Sequence, residues 1–146
     1  MPEHSIYADL EKLALNLSDL RLQDMGHQIE DMVISCTFNT VECSAENFTH
    51  FYNYRYGNCF TFTTNDEKNG DNTGIGVQAG QTHGLVLEMN VQSGEYMAVT
   101  ESAGLLLLVH EPDRVVYPDD GGLVISPGFA TNVALQKVRG QCVILV

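Results

Sequence analysis

The sequence predicts an α+β fold in which a helical first third is followed by antiparallel β-strands. Three observations support this fold class. Leucines recur at helical spacing near the start of the chain, and apolar residues alternate with polar ones over 85–91. A stretch rich in Gly, Asn and Asp, residues 64–84, lies between the β-like segments and is typical of a loop. The chain is therefore expected to divide into a helical part, 1–53, and a β-rich part, 54–146.

Two helices are expected in the first part. In the first, leucines lie on one face with acidic residues between them: Leu10, Leu13, Leu17 and Leu20. Met25, Ile29, Met32 and Val33 repeat the pattern and predict a second helix that runs into Ser35. Gly26 weakens the start of that helix by about 1 kcal/mol relative to alanine.

The second part reads as a series of short strands separated by turns. The expected strands are 56–63, 85–91, 96–99, 105–110, 123–125 and 130–137. Leu105 to Val109 is apolar without alternation, which favours burial on both faces. Ser93-Gly94 and Pro127-Gly128 are turn signals.

Composition excludes several classes of function. The net charge is −12, with 19 acidic and 7 basic residues, so a nucleic-acid or anionic-membrane partner is not expected. No stretch resembles a signal peptide, and the longest apolar run, Ala103 to Val109, is too short for a membrane span. No cofactor is expected: the glycines from Gly74 to Gly80 lack the strand and helix that a dinucleotide site needs. No catalytic constellation is found, so the chain is not expected to be an enzyme.

Four cysteines, Cys36, Cys43, Cys59 and Cys142, allow three pairings. A small disulfide-closed loop between Cys36 and Cys43 is the most economical one. Cys59 and Cys142 then pair with each other or with cysteines outside the chain. Asn47-Phe48-Thr49 is a glycosylation sequon, and cysteines that flank a sequon indicate an oxidising, extracellular setting. Extracellular chemistry without an export signal suggests a fragment of a longer protein. No metal site is expected, because histidines and cysteines lack zinc-ligand spacing.

An aromatic run, Phe51-Tyr52-Asn53-Tyr54-Arg55-Tyr56, has two interpretations. The side chains either form an exposed contact surface or pack a strand against the preceding helices. The second interpretation is favoured.

Several of these segments together resemble the extracellular domain of the degenerin / epithelial sodium channel / acid-sensing ion channel family. The resemblance extends over about residues 24–138, and its most specific element is the run 56–62, which follows the two closely spaced cysteines. The matching segments are Gly26-His27-Gln28, Met32 to Asn39, Cys43, Asn47 to Thr49, Tyr56-Gly57-Asn58-Cys59-Phe60-Thr61-Phe62, Gly84 to Leu87, Ala103-Gly104, Val109-His110 and Pro127-Gly128-Phe129.

The resemblance implies a partial extracellular domain of a sodium channel subunit, gated by ligand, protons or force, that works at the outer face of the plasma membrane. Family members are trimers, homomeric or heteromeric, that conduct sodium ions and are commonly blocked by amiloride. By this resemblance, residues 1–53 are a finger-like helical segment and residues 54–146 are a palm and β-ball-like sheet. Cys36 and Cys43 pair with each other, and Cys59 pairs with a cysteine outside the chain. We expect a structural bridge at Cys36–Cys43 and a glycan on Asn47.

The chain departs from the family in lacking both membrane spans, the pore and the cysteine-rich thumb. The segment between Tyr96 and Ala103 is short and lacks the longer acidic insertion of acid-sensing members, a departure that bears on proton gating. It also does not assign a partner to Cys142. The alternative function is a soluble truncated or secreted binding module that lacks the pore and modulates full-length subunits.

Overall fold

The computed structural model describes residues 19–63, 80, 83–97, 100, 102–110, 117–118, 121–138 and 141–145. The expected leucine-rich helix up to Leu17 and most of the expected loop 64–84 lie outside these residues. The chain forms two compact units, Met1–Asn90 and Val91–Val146. The described part is mostly β-strands in small antiparallel sheets with short helices, which is consistent with the expected α+β class.

The described part of the first unit begins with two short helices, α1 over Asp19–Met25 and α2 over Ile29–Met32. The prediction of one helix from Met25 to Ser35 is wrong at both ends. Gly26 lies between the two helices instead of weakening the start of one, and Val33 already belongs to a strand. The β-branched pair Val33-Ile34 favours extended backbone, and pairing with a distant strand provides the hydrogen bonds that a continued helix would have made.

A three-stranded sheet follows α2, with strand order β2-β1-β5. Its strands are β1 (Val33–Phe38), β2 (Val41–Glu42) and β5 (Leu85–Met89), all antiparallel. Its β1–β2 hairpin turns at Asn39 and Thr40, whose φ angles of 51° and 65° are those of a type I′ turn. The N–H of Asn90 then donates to the carbonyl of Met32 at 2.7 Å, which ties the end of β5 to the end of α2.

A regular hairpin forms the second sheet of this unit. Strand β3 (Phe48–Asn53) pairs with β4 (Gly57–Phe62) from Phe48↔Phe62 to Asn53↔Gly57. A single turn of 3-10 helix, Ala45–Asn47, leads into β3. Strands β1, β2 and β3 all lie before residue 54, so β-structure begins much earlier than the sequence pattern indicated.

The second unit contains two further antiparallel pairs and a 3-10 turn, Ser93–Glu95. The strands are β6 (Leu105–Leu107) with β7 (Leu123–Ile125), and β8 (Ala134–Val138) with β9 (Gln141–Leu145). The expected strand at 96–99 is not formed at Tyr96 and Met97, and the Met97 carbonyl accepts from the N–H of Thr100 instead of a neighbouring strand. Residues 98 and 99 lie outside the described part. Strand β6 is shorter than expected and its side chains are only half-buried. The prediction that Leu105 to Val109 are buried on both faces is therefore wrong for this strand.

The buried apolar side chains of the described part are few: Leu22, Ile29, Met32 and Cys36. All of them lie in the first unit, on the two helices and β1. Rings extend this core: the Phe62 centroid lies 5.6 Å from that of Phe38 and 5.3 Å from that of Phe48. Phe62 therefore packs the β3–β4 hairpin against β1. Within the described residues, no helix is long and apolar enough to cross a membrane.

Candidate functional site

The side-chain amide of Asn58 joins the helices to the β3–β4 hairpin. Its Nδ2 donates to the carbonyl of Gln23, in α1, at 2.9 Å and to the carbonyl of His27 at 3.0 Å. These partners lie 35 and 31 positions away in the sequence. One amide thus ties both the last turn of α1 and His27, which follows that helix, to β4.

His50 completes this junction from the neighbouring strand. Its Nε2 lies 2.9 Å from Oδ1 of Asn58. Since the Asn58 nitrogen faces two carbonyls, its oxygen faces the imidazole, and an amide oxygen only accepts. Nε2 of His50 therefore carries the hydrogen in this contact. The His50 ring also lies 5.5 Å from the Phe60 ring, which holds it against β4.

Gly26 allows the two parts to approach this closely. A Cβ at position 26 would lie 2.6 Å from Nδ2 of Asn58, closer than real Cβ atoms come to other heavy atoms. Gln28 stabilises the connection between α1 and α2, because its Nε2 donates to the carbonyls of Gln23 at 2.7 Å and Gly26 at 2.8 Å. We call Gly26, Gln28, His50 and Asn58 the helix–hairpin junction.

The β1–β2 hairpin carries the disulfide that the sequence favoured. Cys36 and Cys43 are bonded, with their Cα atoms 5.1 Å apart, and the N–H of Cys43 donates to the carbonyl of Cys36 at 3.1 Å. Cys36 is buried in the core, and the bridge joins β1 to the residue that directly follows β2.

Asn47 connects the 3-10 turn to the end of β4. Its side chain is only 7% exposed. Oδ1 accepts from the N–H of Ser44 at 3.1 Å, and Nδ2 donates to the carbonyl of Thr63 at 3.3 Å. The Asn47 carbonyl in turn accepts from the Thr63 N–H at 2.8 Å. The predicted glycan acceptor is thus also a structural residue.

Cys59 lies on β4 beside the junction and is half-buried. Its Sγ lies 3.6 Å from the carbonyl oxygen of Gly57, and burial raises the pKa of its thiol. Among the cysteines whose side chains the structure describes, none is bonded to it. The side chain of Cys142 is outside the described part, so its predicted alternatives stay open.

The sequence did not indicate what the junction residues do. The sequence pattern predicted Gly26 only as a weak position in a helix, placed Asn58 only within the run 56–62, and gave no role to His50. One signal was present: a glycine after the last apolar residue of a helical pattern often marks the helix end. Of the predicted site residues, the structure joins Cys36 to Cys43, while Asn47 and Cys59 occupy separate positions. No cluster of potential metal ligands is found among the described residues.

These features define a disulfide-bridged, β-rich module in which helices are joined to a hairpin by part-buried hydrogen bonds. Residues 3–143 match the family model described as "Amiloride-sensitive sodium channel". The chain therefore belongs to the amiloride-sensitive sodium channel family, which is a family of ion channels and not of enzymes.

Individual relatives agree with this assignment. The chain is similar to degenerin unc-8 of Caenorhabditis elegans, at 36% identity over 78% of this chain and 14% of the relative. It is similar to the epithelial sodium channel subunit alpha of Homo sapiens, at 30% identity over 88% of this chain and 18% of the relative. Acid-sensing ion channel 4-B of Danio rerio is 35% identical over 85% of this chain and 22% of the relative. The chain thus spans less than a quarter of the length of each of these relatives.

Proposed function

We propose that the chain is part of the extracellular domain of a sodium channel subunit and supports sodium transport across the plasma membrane. Residues 1–53 are proposed as the finger-like segment, which includes the β1–β2 hairpin and β3, and residues 54–146 as the palm and β-ball-like sheet. The subunit assembles with like or related subunits into a trimer, and membrane spans outside this chain form the pore.

The helix–hairpin junction is the observation that carries this proposal beyond family membership. A channel must transmit a change at its outer domain to its pore, and transmission needs contacts that differ between two states. Asn58 connects α1 to β4 through hydrogen bonds from a single side chain. A displacement of α1 therefore either moves β4 with it or breaks these bonds.

Expression of the complete protein that contains this chain in oocytes tests the proposal. The expected result is a sodium current that amiloride blocks. Asn58→Ala should shift the stimulus needed for half-maximal current. Surface biotinylation measures how much of each variant reaches the plasma membrane. Asn132→Ala, at an exposed position of the second unit, is the matched control and should leave the current unchanged.

Two results would count against the proposal. The first is that the complete protein reaches the cell surface and conducts no sodium when ligand, acid or stretch is applied. That result would contradict the proposed channel function. If Asn58→Ala gave a normal current with an unchanged stimulus dependence, the helix–hairpin junction would have no role in gating.

The covalent part of the proposal concerns Cys59 and Asn47. We propose that Cys59 pairs with a cysteine outside this chain and that Asn47 carries a glycan. A glycan on Nδ2 replaces one amide hydrogen, and the other is enough for the bond to Thr63. Peptide mass spectrometry of unreduced protein from eukaryotic cells should find the peptide with Cys59 linked to one from another part of the protein. A free Cys59 thiol in that sample would contradict the pairing.

A further inference from the structure

The two ends of the β3–β4 hairpin differ in exposure. At its tip, Phe51 is 39% exposed, Tyr54 58% and Tyr56 41%, so the favoured packing of the aromatic run against the preceding helices is wrong for these three residues. At the opposite end, where the hairpin meets the 3-10 turn, the side chain of Asn47 is only 7% exposed. The proposed glycan acceptor thus lies at the end of the hairpin that an enzyme reaches least.

Hydrogen bonds engage both ends of the Asn47 amide. Its Oδ1 accepts from the N–H of Ser44, and its Nδ2 donates to the carbonyl of Thr63. The backbone carbonyl of Asn47 also accepts from the N–H of Thr63 at 2.8 Å and lies 3.3 Å from Oγ1 of Thr63, which donates to it. Thr63 therefore holds the acceptor residue by its backbone and by its side chain, and Asn47 becomes accessible only when this end of the hairpin opens.

The order of the sequence leaves a period in which Asn47 has been synthesised and Thr63 has not. The two residues are 16 positions apart. At about 5–20 residues per second, synthesis of this interval takes about 1–3 s. A hairpin forms in about 1–10 μs once both strands exist, so the growth of the chain sets the moment at which Asn47 is engaged.

Transfer of a glycan needs an accessible amide. In the reaction, Nδ2 of Asn47 bonds to C1 of the first sugar of a lipid-linked oligosaccharide diphosphate. The C1–O bond to the diphosphate breaks and leaves its electron pair on the diphosphate, while one amide proton passes to a basic group of the transferase. Because resonance draws the nitrogen lone pair into the amide, the enzyme has to enclose and polarise the whole amide group. The closed hairpin does not allow this, since the amide is covered and both of its ends are engaged.

We propose that Asn47 accepts its glycan only before the β3–β4 hairpin closes, and that closure then shields the bond between the sugar and the asparagine. The inference rests on the proposed function, in which Asn47 is glycosylated. A chain whose hairpin closes first stays unmodified, so the fraction of chains with a glycan records which event came first. The amide hydrogen that remains after transfer is enough for the bond to Thr63, so modified chains close in the same way.

Glycan transfer to the complete protein tests the order of events. Cells in which synthesis of the lipid-linked donor is inhibited produce the complete protein with Asn47 unmodified. This protein, purified in its folded state, and a synthetic peptide of residues 44–53 are each offered to purified oligosaccharyltransferase with the donor. The folded protein should be modified at Asn47 at least about tenfold more slowly than the peptide, which corresponds to an opening equilibrium of about 1.4 kcal/mol. Equal rates would overturn the proposal.

Variants at the end of the hairpin test whether closure causes the delay. Thr63→Pro removes the N–H that donates to Asn47, and the extended backbone of Phe62 suits a position before proline. The loss of one hydrogen bond should make transfer to the folded protein about fivefold faster. Thr131→Pro, at an exposed position of the second unit outside its strands, is the matched control and should leave the rate unchanged. Thr63→Pro with the rate of the wild type would show that closure does not protect Asn47.

Thr63→Val is the milder variant, because it removes only the Oγ1 donor and keeps the backbone hydrogen bonds. It should raise the rate of transfer by less than Thr63→Pro does. An increase from this variant excludes general misfolding as the cause, and a rate no higher than that of the control would count against the proposal.

Removal of the glycan measures the shielding on protein from uninhibited cells. The amidase that cleaves N-linked glycans should act on Asn47 of the native protein at least about tenfold more slowly than on the same protein after reduction and heat denaturation. Equal rates of cleavage would overturn the shielding.

The glycosylation state in uninhibited cells separates the possible failures. If these cells leave Asn47 unmodified, both the proposed glycan and this inference are overturned. If they modify Asn47 and the folded protein accepts a glycan as fast as the peptide does, only this inference is overturned.

Discussion

The side-chain nitrogen of Asn58 occupies the space that a Cβ on residue 26 would need, at 2.6 Å from that position. This relationship explains why Gly26 and Asn58, far apart in the chain, belong to one structural element. The hydrogen bonds from Asn58 to the end of α1 exist only because residue 26 lacks a side chain.

The first prediction follows from this contact. Gly26→Ala should push Asn58 away from its carbonyl partners and lower the free energy of unfolding by about 1–3 kcal/mol, the usual cost of overpacking. Urea denaturation of the purified chain measures the change. Gly94→Ala is the matched control, since a Cβ there meets nothing within 4 Å. It should change the stability by about 0.5 kcal/mol or less. A Gly26→Ala variant as stable as the control would contradict the close packing.

The second prediction concerns the turn between β1 and β2. Thr40 has a φ of 65°, which is strained for a β-branched residue. Thr40→Gly creates an Asn-Gly type I′ turn and should raise the free energy of unfolding by about 1 kcal/mol. Thr49→Gly, at an exposed position of β3, is the control and should lower it by about 0.5–1 kcal/mol, because glycine weakens a strand. Thermal unfolding of both variants under non-reducing conditions distinguishes these signs, and a destabilised Thr40→Gly chain would argue against strain at the turn.

A third prediction concerns the thiol of Cys59 in the purified chain, which lacks the proposed disulfide partner; burial makes this thiol harder to ionise. The rate of alkylation by iodoacetamide should rise with pH around a midpoint above that of an ordinary cysteine. The raised pKa also makes stability depend on pH. The buried neutral thiol stabilises the fold fully at pH values below the pKa of a cysteine in the unfolded chain, and this contribution is lost as the pH rises through the higher pKa of the folded state. The measurement uses a Cys142→Ser background, so that only Cys59 reacts. The same protein in urea is the control and should titrate at the ordinary value. A folded midpoint at or below that of the control would show that the thiol is not desolvated.

The fourth prediction separates glycosylation of Asn47 from its structural role. Thr49→Ala destroys the sequon at an exposed residue and leaves the amide of Asn47 in place. Protein from eukaryotic cells should migrate faster after this change, by the mass of one glycan, and equally after amidase treatment that removes N-linked glycans. The amidase converts Asn47 of the treated wild type to an aspartate, which cannot donate to the carbonyl of Thr63, so the Thr49→Ala variant should be the more stable of the two. Identical migration of variant and wild type would show that Asn47 is unmodified.

Local pattern predicted some elements well and failed where distant partners decide the structure. The alternation of side-chain types along the sequence located β4 and β5 within a few residues. This alternation arises within a single strand, because successive side chains point to opposite faces, and it needs no knowledge of the partner strand. It failed at Val33, because the pairing of Val33 with Met89 lies outside any local window. Likewise the spacing of Cys36 and Cys43 favoured their disulfide, which the structure contains. The role of Asn58 depends on the His50 side chain and the Gln23 carbonyl together, and no spacing rule places these two groups within hydrogen-bond distance of its amide.

The pairing of β1 with β5 has a consequence for folding and for divergence of the chain. Among the described strands it is the one ladder whose partners lie far apart in sequence, from Phe38↔Leu85 to Val33↔Met89. The β3–β4 hairpin forms between neighbours, so we expect it to form early, and closure of the long connection between β4 and β5 to set the folding rate. Loop-closure entropy grows only with the logarithm of length, and doubling such a connection costs about 0.6 kcal/mol. Insertions and deletions there should therefore accumulate freely, while the Cys36–Cys43 bridge keeps β1 in its position to receive β5 in the same register.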